Sequence, residues 1–309
     1  MTAASWMAIA IAIVVAVVAQ RVIRRTAAGD ASGRFFDHPA AAVGLAVLTF
    51  VVVVALFAPL IAPYRPSLQL DIVALQDSPP SWQHPLGTDL FSRDVWSRIV
   101  FGARMSLGVG ALATLVAVSV GAAVGGGAGY FGGATDAVLM RLVDVGLAIP
   151  RIFIVLVALA VGHRLDVVPL ALLLGLTGWF GTSRLVRAEV MAMRGGGFVE
   201  GARGLGASPW RIIVAHLLPN TAGTLIVSAS LGVANMMLLE AGLSFLGVGV
   251  QPPLPSWGNM IAESRDQLAT APWVSLFPGL AITVVVMSLH TVADGLRDAL
   301  SPRETPGTI

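Results

Sequence analysis

The 309-residue chain contains no cysteine, which excludes disulfides, cysteine-held iron–sulfur clusters and thiol nucleophiles, and leaves the redox compartment unreadable. It contains no lysine either: all 19 basic residues are arginines. A Walker A loop places a lysine on the β- and γ-phosphates, so the chain has no ordinary ATP-hydrolysing P-loop. A lysine Schiff base is excluded for the same reason. Charged residues make up only 12% of the chain, roughly half of what a soluble domain of this length needs for its surface. The net charge of +2 comes without any basic block interleaved with aromatics, so no nucleic-acid partner is expected. The histidines at 38, 84, 163, 216 and 290 fall far apart. His84 and Asp89, five residues on, fall far short of a metal ligand set and read as a structural turn. No clustered nucleophile or His/carboxylate set points to an enzyme.

What is present is apolar. Hydrophobic residues make up 56% of the chain, with 34 glycines and a mean hydropathy of +0.83. Six apolar segments run at about 40–62, 104–128, 139–161, 167–186, 222–246 and 274–294, several approaching the ~20 residues that cross a hydrocarbon core as a helix. The expected fold is an all-α, polytopic transmembrane helical bundle with six core spans. Its divisions are an N-terminal segment 1–38, a first core span 39–62, an extracytoplasmic segment 63–103, a core domain 104–301 and a cytoplasmic tail 302–309. Arg21, Arg24, Arg25 and Arg34 precede the first core span, which places that end in the cytoplasm. Alternation then puts 187–221 inside, with Arg187, Arg194, Arg203 and Arg211, and 247–273 outside, with Arg265 alone. The run Ala4–Val18 reads as an extra N-terminal membrane helix, an interfacial helix or a misassigned start.

Gly121, Gly125 and Gly129 form a four-residue ladder, a spacing that lets helix backbones approach closely, within the chain or at a subunit interface. Asp144, Glu240 and Asp294 fall near span ends and read as helix-end or interfacial groups rather than midplane proton relays. Trp82, Trp96, Trp257 and Trp273 lie in the segments assigned outside or at their margins. Tryptophan there serves as a membrane-boundary anchor or a contact for a docked protein.

The stretch from Glu200 to Asn220 reads as two short helices with a break. Gly206 closes the first in the left-handed conformation. Ser208 N-caps the second, with Pro209 at its first position. Pro219 then ends that helix before the next span. By local rules alone this is a surface connector lying on the membrane.

The same stretch resembles the signature loop of binding-protein-dependent ABC importer permeases: E-A-A, three residues, G, nine residues, then I-x-L-P. Glu200, Gly206, Leu218 and Pro219 fall at that spacing, while Gly201 replaces the second-position alanine and His216 the isoleucine. Gly201 loosens the first helix by up to ~1 kcal/mol relative to alanine. Further runs are similar to the dipeptide, oligopeptide and nickel branch of the family. They include Phe57 to Tyr64, His84 to Asp89 with Ser92 to Val95, Gly129 to Gly133, Leu139 to Asp144, Leu243 to Gly247 and Gln251 to Gly258. The resemblance covers roughly residues 35–302.

It implies a permease subunit of the bacterial inner membrane that imports peptides, or else nickel or another solute. The implied partners are a second homologous permease, two ATPase subunits carrying ATP and Mg, and an extracytoplasmic solute-binding protein, with the lipid bilayer around them. No cofactor or metal is implied on this chain. Glu200, Gly201, Ala202, Arg203, Leu205, Gly206, Ala207, Ser208 and Pro219 are implied to couple to the ATPase. Glu200 would either contact that subunit or cap its own helix. An ion-coupled secondary carrier and a non-transporting scaffold are the rival readings.

Overall fold

A computed structural model describes residues 30–162 and 165–300. The run Ala4–Val18 and the tail 302–309 lie outside the described residues. Helix α1 (Asp30–Asp37) leads into α2 (Pro39–Leu56), which starts on a proline at its first turn, where the missing N–H is no loss. A short α3 (Ala58–Ile61) follows. The chain then runs without named helices to Asp94, whose carboxylate caps α4 (Val95–Phe131) by accepting from the Ser97 N–H at 2.8 Å. At 37 residues α4 is about 55 Å long, well beyond the ~30 Å of a hydrocarbon core.

The helix begins nine residues before the apolar run expected at 104–128. Val95–Ala103 was not legible as helix because Trp96, Ser97 and Arg98 break the apolar run. Among the described residues, four helices are long and apolar enough to cross a membrane: α2, α4, α12 (Ala222–Phe245) and α14 (Pro272–Leu300). Two bent pairs bring the number to six when each is read as one span.

The expected spans 139–161 and 167–186 are each a bent pair of helices. Helix α5 (Gly133–Ala148) meets α6 (Arg151–Gly162) at 84°. The residue before a proline is pushed out of the helical region, and Ile149, before Pro150, sits at φ −95°, ψ 125°. Helix α7 (Val167–Leu176) meets α8 (Phe180–Met193) at 45°, with Gly178 in the break.

Helix α4 is the spine. It packs against α2, α7, α8 and α12, and α14 fills the space between α2 and α12. The glycine ladder makes a close contact between α4 and α8. A Cβ on Gly121 would meet Thr182, one on Gly125 the Ser183 carbonyl, and one on Gly129 the Arg187 carbonyl at 2.8 Å. The ladder thus seats α8 on α4 within one chain.

Two ends of the bundle carry its irregular structure. One end, here the cap, holds residues 62–94 and 246–271, including α13 (Trp257–Glu263). The opposite end, at the C-terminus of α4, holds α9 (Gly197–Gly204), α10 (Pro209–Ile212), a π turn (Ile213–Leu217) and α11 (Leu218–Asn220).

Candidate functional site

At the loop end, local chemistry and tertiary packing agree. Gly206 is left-handed at φ +80°. Its N–H donates to the Arg203 carbonyl at 2.9 Å, and the Ala207 N–H donates to the Ala202 carbonyl at 3.0 Å, the paired bonds that close a helix on glycine. Ser208 Oγ accepts from the Arg211 N–H at 3.3 Å, with Pro209 in the first turn of α10. The expected stop at Pro219 is corrected. The chain widens into the π turn and continues helically through Pro219, and the break before α12 falls at Thr221. A wider turn relieves the clash of a proline ring with the preceding turn.

The loop has two faces. Val199, Ile212, Ile213 and Leu217 are buried against Val186 and Val190 of α8 and Tyr130 of α4. Arg203 lies over the Tyr130 ring, 5.1 Å from its centroid, and donates from Nε to its hydroxyl at 3.3 Å. Glu200, Gly201, Arg203, Gly206 and Ser208 are exposed, Ala202 and Ala207 half-buried, and Leu205 is 91% exposed. These eight sequence-predicted residues share one capped turn. Pro219 stands apart, beyond the π turn. The α9 N-cap is Gly196 without a side-chain bond, and among the described residues Glu200 is in no ion pair.

A cavity of about 940 Å³ opens along the bundle between α8 and α12, floored by α4. Its polar lining includes Arg151, Thr182, Glu189, Thr224, Ser228 and Asn235. Thr224, Ser228 and Asn235 are spaced to fall on one face of α12. Thr224 Oγ1 donates to Glu189 Oε1, and the Thr182 and Ser228 hydroxyls lie 3.5 Å apart. Arg151 sits where both bent pairs break. Its Nε donates to Thr177 Oγ1 at 3.3 Å, and its Nη2 donates to the Leu174 carbonyl and reaches Met236 Sδ at 2.9 Å. The only sequence signal for it was an arginine directly after a proline inside an apolar run.

The cap is built on charge. Asp89 accepts from the Phe91 and Arg93 N–H groups at 2.9 Å each, from Arg93 Nε at 2.7 Å and from Arg98 Nη1. Glu263 accepts from Arg93 Nη2 at 2.6 Å and pairs with Arg98 Nη2 at 2.9 Å. His84 is not a partner of Asp89: its Nδ1 lies 3.0 Å from Asp94 Oδ1, where both are buried. Burial, then the neighbouring Asp89 carboxylate, pushes the Asp77 carboxyl up.

Two of the expected membrane anchors belong to this cap instead. Trp257 is buried and donates from Nε1 to the Ile99 carbonyl at 3.0 Å, and Trp273 donates to the Thr88 carbonyl at 3.2 Å. Trp82 alone of the four is largely exposed. Glu240, expected at an interface, is 1% exposed beneath the cap and accepts from Ser244 at 2.6 Å and Ser256 at 3.0 Å. Asp144 pairs with Arg184, both about half-exposed.

Comparison with known proteins agrees with this architecture. Residues 116–306 match the family described as binding-protein-dependent transport system inner membrane component. Residues 26–80 match the N-terminal transmembrane domain of oligopeptide transport permease C. A protein of Brucella suis biovar 1 named as a peptide permease is 41% identical over 277 residues, covering 88% of this chain and 90% of its own. The dipeptide transport system permease protein DppC of Alkalihalophilus pseudofirmus is 40% identical over 269 residues, covering 85% and 86%. A peptide transport system permease protein of Brucella abortus biovar 1 is 38% identical over 273 residues, covering 87% and 90%.

Proposed function

The chain belongs to the family of binding-protein-dependent transport system inner membrane components, and from that premise we propose that its exposed turn from Glu200 to Ser208 is where ATP-driven motion enters it. It is a multi-pass permease subunit of an ATP-binding-cassette peptide importer in the bacterial inner membrane. ATP hydrolysis belongs to partner subunits, in keeping with a chain that has no lysine for a P-loop.

In the proposed assembly this chain pairs with a second homologous permease. Two ATPase subunits holding ATP and Mg sit below, and a solute-binding protein delivers peptide to the cap. The loop end faces the cytoplasm and the cap faces outward, an orientation favoured by the arginines at 187, 194, 203 and 211. ATP closes the ATPase pair, the docked turns follow, and the membrane helices swing as rigid bodies.

The observation that carries this reading is the seating of the turn. Its exposed face is free for a partner, while Val199, Ile212 and Leu217 lock its other face to α8 and α4. Motion applied at Leu205 reaches helices that line the cavity. Combining Glu200→Ala with Gly206→Pro uncouples hydrolysis from uptake while membrane insertion survives. Unchanged uptake by that variant removes the coupling assignment. A labelled peptide panel assayed against nickel, with and without the binding protein, tests the cargo.

A further inference from the structure

Arg151 presents a cation to the interior of the bundle, and the partners it has among the described residues are all neutral. It meets Met236, which lies 14 residues beyond Ala222 in a helix of 24, so about 21 Å along α12. Its other partners are the neutral oxygens of Leu174 and Thr177. Among the described residues none of the ion pairs includes Arg151. An uncompensated charge within an apolar bundle is costly and marks a functional position. Arg151 also lines the cavity of about 940 Å³, so an anion inside that cavity can reach it.

The rest of the lining says what kind of anion. From Thr224 to Asn235 the polar face of α12 runs 11 residue steps, about 16 Å, the reach of roughly five extended residues. Its groups, with Thr182 opposite, are hydroxyls and an amide, Thr224 donating to Glu189, which lines the cavity as Arg297 does; hydroxyls and amides exchange hydrogen bonds with peptide N–H and C=O groups whatever the side chains. Every unmodified peptide ends in one carboxylate, and a guanidinium binds it through paired, charge-assisted hydrogen bonds.

We propose that the cavity is a peptide site within the translocation path, in which Arg151 holds the C-terminal carboxylate and the polar face of α12 meets the main chain. This rests on the peptide-import reading and adds polarity: the peptide lies with its C-terminus at the junction of the two bent spans.

The test uses the complete transporter in proteoliposomes with its binding protein, and trialanine as cargo, whose only carboxylate is the terminal one. Arg151→Gln lowers trialanine uptake about tenfold while binding-protein-stimulated ATP hydrolysis stays within about twofold of wild type, and Arg151→Lys, which keeps the charge but not the paired geometry, recovers only part of the uptake. Unchanged uptake in Arg151→Gln, or uptake and hydrolysis lost together, overturns the assignment.

A second measurement needs no variant. In the wild-type complex, a tripeptide with benzoylphenylalanine at its C-terminal residue photolabels the start of α6 or the 174–178 turn, and one with the probe at its N-terminal residue labels elsewhere. Equal labelling by both probes, or by neither while both are imported, overturns the proposal. A wild-type complex that imports no peptide sinks the peptide-import reading and this inference with it.

Discussion

Arg93 donates from Nη2 to Oε2 of Glu263 at 2.6 Å, joining residues 170 positions apart in sequence. With Arg98 and Asp89 it fuses the segment before α4 to α13. The side chains of Arg98 and Asp89 are each only 3% exposed. Removing one member leaves the other as a buried charge, a loss of roughly 3–5 kcal/mol. Arg98→Met is thus expected to lower the melting midpoint of the detergent-solubilised protein more than Glu263→Gln, whose side chain is 23% exposed.

The helix α4–α8 contact predicts a pair of opposite outcomes. Gly125 faces the Ser183 carbonyl, whereas Gly127, two residues on, faces nothing within 4 Å. Gly125→Leu forces the helices apart and costs at least the ~1–3 kcal/mol of an overpacked core. Gly127→Leu stays within about 0.5 kcal/mol of wild type. Retention of monodisperse protein after heating separates the two.

Much of this fold was legible, and the failures share a cause. Helices α2, α12 and α14 follow their apolar runs because length and hydropathy alone decide a span. The bends were hidden because a hydropathy window averages over Pro150 and Gly178 without registering direction. The start of α4 was hidden because Ser97 and Arg98 look like surface residues until Asp94 and Asp89 fold around them. Glu240 lies near its helix end as expected, but its burial was hidden for the same reason: Ser256, one of its partners, lies 16 residues away. The loop was legible because left-handed Gly206 and the Ser208 cap are local chemistry. Arg151 was not, because its partners Leu174 and Thr177 lie more than 20 residues away and nothing local marks it as buried.

Two glycines of the loop respond to alanine with opposite signs. Gly206 sits at φ +80°, where a Cβ costs about 1 kcal/mol or more. Gly201 lies within α9 with open space around it, where alanine gains up to ~1 kcal/mol. Gly206→Ala therefore raises protease cleavage within 197–212 and weakens coupled uptake, while Gly201→Ala lowers cleavage.

Asp77 gives the cap a pH dependence. Burial raises its carboxyl above the ordinary range, so its favourable contribution is complete below that range and disappears as pH rises through the raised value. As pH rises above the ordinary carboxylate range, wild type loses melting stability relative to Asp77→Asn. A difference that does not change with pH there contradicts this.

The absence of both cysteine and lysine makes the most direct test clean. A single Leu205→Cys substitution in the assembled transporter provides the chain's only thiol, and a short thiol-to-amine cross-linker from it finds no lysine side chain within the chain. The predicted product joins this chain to an ATPase subunit in high yield, while Val73→Cys, on the exposed cap, gives none. Absence of that product from the Leu205→Cys transporter, or its equal formation from the Val73→Cys transporter, contradicts the proposal that the Glu200–Ser208 turn receives the ATPase.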